Sequence, residues 1–297
     1  MSFANLKKSS SNLEKLTKAI ESLGQSNEAA KEDNFWKPEV DKSGNGYAVI
    51  RFLPAPEVDG DDALPWVKIF SHGFQGPGGW LIDNCLTTVN DKCPVCEHNT
   101  TLWNSGIEAN KGIARNQKRK LSYISNIYVV EDPKHPENNG KVFLYKFGKI
   151  IFDKITGAMN PEFEDETPVN PFDLWNGANF KLKIRKVDGY QNYDKCEFDR
   201  QSALSDNDNE LEKIWKSEHS LKAVIEPSNF KSYDTLKQRL DKVLGLDGGA
   251  PAPRTTVEQA KAQPKPAVRV QDDGGAPPWN EEEDEALDYF KALAEEE

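Results

Sequence analysis

Gly46-Tyr47-Ala48-Val49-Ile50-Arg51-Phe52-Leu53, closed by Pro54, is the stretch on which the fold turns. β-Branched and aromatic residues crowd into it, and a proline, which cannot donate to a ladder, ends it, so a strand is predicted. Four more stretches have this character: 66–70, 121–130, 141–151 and 179–187, each bounded by Gly, Pro or Asn. Helical spacing appears over 209–222 and 229–244, where Phe230, Tyr233, Leu236, Leu240, Val243 and Leu244 share a face. No βαβ alternation, GxGxxG or P-loop pattern occurs. The expectation is a mainly β fold with helical additions, a small barrel or sandwich with long irregular connections.

Outward from this body the composition changes. At the N-terminal side, Phe3, Leu6, Leu13, Leu16, Ile20 and Leu23 recur at helical spacing, Ser11-Asn12-Leu13-Glu14 fits a capping box, and Gly24 is a stop. The stripe needs a partner, either the chain's own core or a neighbouring molecule. At the other side, ten Gly or Pro within residues 247–280 make a linker. Beyond it, Leu287, Phe290 and Leu293 are spaced for one helix face, with five acids near its start. This reads as a partner-binding segment rather than a purely solubilising tail.

The 297 residues carry a net charge of −11, but residues 272–297 hold eleven acids and one base, so the rest is nearly neutral. A local basic surface for nucleic acid is therefore compatible with an acidic whole. Only 37% of residues are hydrophobic, and no run approaches a membrane span. The first residues, Met1-Ser2-Phe3-Ala4-Asn5-Leu6-Lys7-Lys8, lack the apolar run of a signal peptide. A soluble intracellular protein is expected, and four cysteines are too few for a disulfide scaffold.

Three of those cysteines cluster. His72, Cys85, Cys93 and Cys96 form His-x12-Cys-x7-Cys-x2-Cys, and Cys93-Pro94-Val95-Cys96 is a turn that aims two thiolates at one ion. Three thiolates and one imidazole complete a tetrahedral Zn²⁺ shell with no position left for water, so one structural ion is expected. His98 is a rival fourth ligand, two residues beyond Cys96. A redox dithiol leaves Cys85 unexplained, and a zinc deaminase fails because Gly73 and Phe74 follow His72 and Pro94 follows Cys93. Cys196 reads as a small core residue.

Basic and aromatic residues interleave three times. Lys111, Arg115, Lys118, Arg119 and Lys120 run into Tyr123; Lys141, Lys146 and Lys149 lie among Phe143, Tyr145 and Phe147; Lys181, Lys183, Arg185 and Lys186 precede Tyr190 and Tyr193. Cations for phosphates beside aromatics for bases make a single-strand groove. Phe143 and Phe147 read as core, and Tyr145, Tyr190 and Tyr193 as stacking platforms.

The chain resembles the helix-destabilising single-stranded DNA-binding proteins of T-even-like bacteriophages, the gene 32 protein family. The likeness rests on Ala48–Pro54, His72-Gly73-Phe74 with Cys85 and Cys93-Pro94-Val95-Cys96, Lys118-Arg119-Lys120-x-Ser122-Tyr123, Gly140–Lys149 and Asn192-Tyr193-Asp194, over residues 35 to 245.

The resemblance implies a five-stranded Greek-key OB-fold core (25–246) with an inserted zinc subdomain at about 62–110, an N-terminal helical arm (1–24) and a flexible acidic tail (247–297). It implies cooperative, largely sequence-independent coating of single-stranded DNA in phage replication, recombination and repair. The protein would work in the cytoplasm of the infected bacterial cell, without catalysis. Lys7, Lys8, Ser9 and Ser10 would contact the neighbouring protomer, and 272–297 would recruit replication and recombination proteins. Arg51, Lys118, Arg119, Lys120, Lys146 and Lys149 would neutralise phosphates, and Tyr123, Tyr145, Tyr190 and Tyr193 would stack on bases. The tail is also expected to compete with DNA phosphates for the basic groove. Three other readings share parts of the pattern: a single-stranded RNA-binding regulator, a zinc-stabilised protein-interaction module, and a metal-dependent nuclease or transferase using the acids at 162–166 or 206–212.

Overall fold

The computed structural model describes residues 34–246, apart from 61, 164 and 188. The arm residues Lys7, Lys8, Ser9 and Ser10, the linker and the acidic segment lie outside the described residues.

Within the described chain the protein is mainly β sheet with several helices. The strands are β1 (Phe35–Trp36), β2 (Gly46–Phe52), β3 (Val67–Gly76), β4 (Gly79–Asn84), β5 (Lys120–Glu131), β6 (Val142–Phe147), β7 (Ala178–Val187), β8 (Tyr190–Asn192) and β9 (Glu197–Gln201). Their order is β1-β6-β5-β2-β7-β8, with β3 also on β5, β4 on β3 and β9 on β7. Pairing is antiparallel except for β1 on β6.

The twelve-residue β5 is the hub. Its first residues pair with β3 (Lys120↔Ser71 to Ile124↔Val67), and its later ones with β2 (Ile127↔Phe52 to Glu131↔Val49). One strand thus joins two halves of the molecule, each with its own apolar core. The larger core gathers Ile50, Phe52, Ile127, Val129, Phe147, Phe180 and Leu182. The second gathers Phe74, Leu81, Leu86, Val95, Leu236, Leu240 and Val243, together with Cys85 and Cys93.

Helices cover these cores: α1 (Pro94–Trp103), α2 (Glu108–Gln117), α3 (Lys149–Met159), α4 (Asp208–Lys216) and α5 (Tyr233–Leu244). Two expectations change here. The strand expected over 141–151 divides: β6 ends at Phe147, Gly148 caps α3, and Ile151 and Ile155, one turn apart, are buried. The helix expected over 209–222 ends at Lys216, because the chain turns inward to bury Glu218 and to lay His219 against Asn126.

The second core is not confined to 62–110. Helix α5 closes it, capped by Ser232, which accepts from the Thr235 amide, and by Gly245 in the left-handed region. Asp83, at the end of β4, is ion-paired with Lys231 and, at 3.1 Å, with Arg239. The β3–β4 turn comes so near that the Gly78 amide donates to the Val243 carbonyl at 2.8 Å. A Cβ at Gly78 would lie 2.0 Å from the Lys242 carbonyl oxygen, so only glycine fits.

Glu218 is buried, and neither carboxylate oxygen has a partner among the described residues. Burial, helped by the Asp59 charge, pushes its pKa up to about 9. The folded protein then keeps a proton that the unfolded chain gives up above about 4.5. The group's contribution to stability is therefore full below that pH and is lost as pH rises towards 9. Glu218→Gln is expected to match the wild type in urea unfolding near pH 4 and to become increasingly more stable from pH 5 to 8. Parallel pH profiles would mean that the carboxyl is ionised and satisfied in the fold.

Candidate metal centre and basic surface

Four donors converge beside the second core. β3 carries His72; Cys85 follows β4 directly; Cys93 is the N-cap of α1, with Pro94 opening the helix; and Cys96 lies in its first turn. Their ligand atoms all lie within 4.8 Å of one another. Cys93 Sγ and Cys96 Sγ are 3.5 and 3.6 Å from His72 Nε2, and Cys85 Sγ is 3.5 Å from Cys96 Sγ.

These separations fit one ion. With Zn–S about 2.3 Å and Zn–N about 2.0–2.1 Å, a tetrahedron has S···N edges of about 3.5–3.6 Å and S···S edges of about 3.8 Å. His72 Nδ1 lies 3.3 Å from the Gln117 carbonyl; with the proton on Nδ1 it donates there, which leaves the Nε2 lone pair facing the thiols. The helix N-terminus favours thiolates at Cys93 and Cys96. The shared hydrogen bonds hold the Cys93 thiol far below its usual pKa and push Cys96 far above it. A soft divalent cation relieves such crowding. His98 stands outside the cluster; burial and the nearby Lys237 lower its pKa, and Asp241 on α5 also faces it. The rival ligand is thereby set aside.

Sequence reasoning missed the surroundings of these four residues. Thr87 Oγ1 lies 3.1 Å from Cys85 Sγ and accepts a hydrogen bond from Arg119 Nη1 at 2.8 Å. Gln117 and Thr87 carry no signal in the spacing, since Gln117 acts through its backbone carbonyl and Thr87 through a hydroxyl whose partners are set only by the fold.

The basic run lies where α2 passes into β5. Arg119 and Lys120 are exposed and Lys118 is half-buried. The Arg119 guanidinium also lies over the Phe70 ring, 4.3 Å from its centroid. One helix earlier, Lys111 and Arg115 face Trp103 at 5.9 and 5.4 Å, and both pair with Glu108. Lys146 and Lys149 are exposed, and Lys149 reaches Asp153 at 4.0 Å. Tyr190 is 70% exposed on β8. Tyr193 is half-buried against the larger core, and its hydroxyl donates to Gln191.

Three expected contacts are corrected. Arg51 is fully buried: its guanidinium donates to Asn179 Oδ1, the Asp173 carbonyl and the Ser202 carbonyl at 3.0, 3.2 and 2.8 Å. Burial lowers its pKa to about 10, against the opposing pull of Asp173. A Cβ on Gly177 would lie 2.5 Å from Nη1, so the chain is shaped around this side chain. A phosphate has no access to it here. Tyr123, 5% exposed, stacks on Phe152 with centroids 3.8 Å apart and planes 3° apart. Tyr145, 3% exposed, packs against Trp36 and Phe147. Both rings belong to the larger core, and their faces are already covered.

Three of the four cations of the third basic cluster are paired with acids in place. Lys181 pairs with Asp199 at 2.8 Å, Lys183 with Glu197 at 2.6 Å, and Arg185 with Asp194. Among the described residues no helix is long and apolar enough to cross a membrane.

A family model described as gp32 DNA binding protein like matches residues 44–244. The single-stranded DNA-binding protein of Enterobacteria phage T2 is 39% identical over 232 residues, covering 76% of this chain and 74% of that protein. Its counterpart in Enterobacteria phage T4 is 38% identical over 246 residues, covering 80% and 79%. A protein of the same description from Enterobacteria phage RB70 is 40% identical over 92 residues, 30% of this chain and 73% of that protein.

Proposed function

The chain belongs to the gp32 DNA-binding-protein-like family, and on that premise we propose that it binds single-stranded DNA without marked sequence preference. The observation that carries this reading is the exposed basic run ending in Arg119 and Lys120, which leads into the strand that joins the two cores. Cations on a rigid strand end neutralise phosphates at little entropic cost, and phosphate contacts carry no base readout.

The core is read as an OB-fold carrying one structural Zn²⁺ on His72, Cys85, Cys93 and Cys96. Lys118, Arg119 and Lys120 are the main phosphate contacts, with Lys146 and Lys149 flanking them. Tyr190 is the leading stacking ring and Tyr193 the second. Residues 1–24, with Lys7, Lys8, Ser9 and Ser10, bind the next protomer and make coating cooperative. The acidic residues 272–297 recruit replication and recombination proteins and compete with DNA for the groove. Binding without catalysis, in the cytoplasm of the phage-infected cell, is all that coating a strand requires, since trapping melted DNA shifts the duplex equilibrium by mass action.

Intrinsic fluorescence titrated with oligo-dT at several salt concentrations tests this. Saturation at a fixed nucleotide ratio, steep weakening with salt and no response to duplex are expected. Lys120→Ala should shallow the log–log salt slope by about 0.7, the share of one phosphate contact on a single strand. Matched RNA binding more tightly than DNA, or no binding of either, would overturn the reading.

A further inference from the structure

Arg119 belongs to two constellations at once. It sits inside the basic run, yet among the described residues its one hydrogen bond goes to Thr87, whose oxygen lies 3.1 Å from Cys85 Sγ. A hydroxyl has one hydrogen. With its oxygen accepting from the guanidinium, that hydrogen is left for the sulfur. The path therefore runs from guanidinium through hydroxyl to thiolate, each group donating to the next.

The surroundings hold the path in place. The Phe70 ring lies under the guanidinium. The Cys85 amide donates to the Phe70 carbonyl at 2.8 Å, and the Phe70 amide donates to Thr88 Oγ1 at 2.9 Å. Ligand, hydroxyl and cation are thus fixed to the same short piece of β3 and the turn after β4.

We propose that Thr87 and Arg119 are positioning residues of the metal centre, through which cation occupancy and phosphate contact at the basic run strengthen each other. The phosphate half rests on the DNA-binding reading above. A metal-bound thiolate still accepts hydrogen bonds, and the Thr87 donation steadies Cys85 as a ligand. The same bond orients the Thr87 oxygen towards Arg119. A guanidinium has five N–H donors in a rigid fork, so one spent on Thr87 leaves others for a phosphate oxygen. A side chain already held loses less freedom when the phosphate arrives. Because coupling between two binding events is reciprocal, a strand that holds Arg119 must also favour the bound cation.

The test uses the full chain loaded with Zn²⁺, and follows transfer of the ion to a chromogenic chelator with and without saturating oligo-dT. Without DNA, Thr87→Val is expected to release the ion about 10–100-fold faster than wild type, the usual cost of losing an outer-shell partner. Thr87→Ser, which keeps the hydroxyl, should stay close to wild type. Matching circular dichroism of the loaded variants separates this from misfolding. With DNA, release should slow for wild type and Thr87→Ser but not for Thr87→Val.

Equal release from Thr87→Val and wild type would remove Thr87 from the metal shell. Equal slowing by DNA in both would show that coupling does not pass through it. Were oligo-dT to bind neither protein, the DNA reading and the coupling would fall together. The DNA-free release series would still decide the role of Thr87.

Discussion

Removal of the cation from His72, Cys85, Cys93 and Cys96 is expected to unfold the second core while leaving much of the first intact. Structural Zn²⁺ supplies about 10–16 kcal/mol in small zinc peptides at neutral pH, comparable to a domain's whole margin of stability of about 5–15 kcal/mol. Here the donors are part of the core itself: Cys85 and Cys93 pack with Leu81, Val95, Leu236 and Val243. Losing the ion leaves thiolates and an imidazole facing one another in an apolar setting, which has no cheap rearrangement. The larger core around Phe52, Ile127 and Phe180 shares none of those side chains.

Calorimetry with and without a strong chelator should show one transition replaced by an early and a late one. Amide exchange should speed up in β3, β4, α1 and α5 and stay slow in β2 and β7. Elemental analysis should find one zinc per chain. Unchanged melting in a metal-free sample would show that the four donors satisfy one another.

The second large effect is expected at Arg51. Arg51→Met keeps much of the side chain's apolar bulk but leaves Asn179 Oδ1 and the Asp173 and Ser202 carbonyls without their donor. Leaving buried acceptors without their donor costs about 1–3 kcal/mol. Arg51→Lys keeps the charge but not the fork, and should fall between. Urea unfolding measures both, and DNA affinity of the folded fraction should hold. Full stability with weakened DNA binding would reverse the correction and return Arg51 to the phosphates.

These two sites differ in how far the sequence discloses them. Cysteine spacing is chemical and local, so the ligand set could be read before any fold was known. Arg51 could not be placed, because β2 runs between β5 and β7 and is buried on both faces. Alternation cannot say which face meets solvent when neither does.

Tyr145 was legible and misread. Phe143, Tyr145 and Phe147 are two apart and share a face, so assigning the phenylalanines to the core should have taken the tyrosine with them. Tyr123 needed knowledge of α3, whose Phe152 covers it. That helix was hidden because Ile150-Ile151-Phe152 looks like strand until Gly148 is taken as a helix start. The ion pairs on β7 were invisible for another reason. Glu197 and Asp199 meet their cations only once β9 is folded back onto β7, and Asp194 meets Arg185 only once β8 has paired with β7.

The closure of the second core by α5 sets a timetable for the chain as it is made. The metal ligands end at Cys96, but Leu236, Leu240 and Val243, which seal them, leave the ribosome much later. At about 5–20 residues per second, roughly 140 residues of delay expose the thiols for about 7–28 s. During that interval the ion can enter an open site, and the last helix then shuts it in. The order of synthesis thus makes loading precede burial, and a metal-starved cell would complete the chain around an unfilled set of reactive sulfurs.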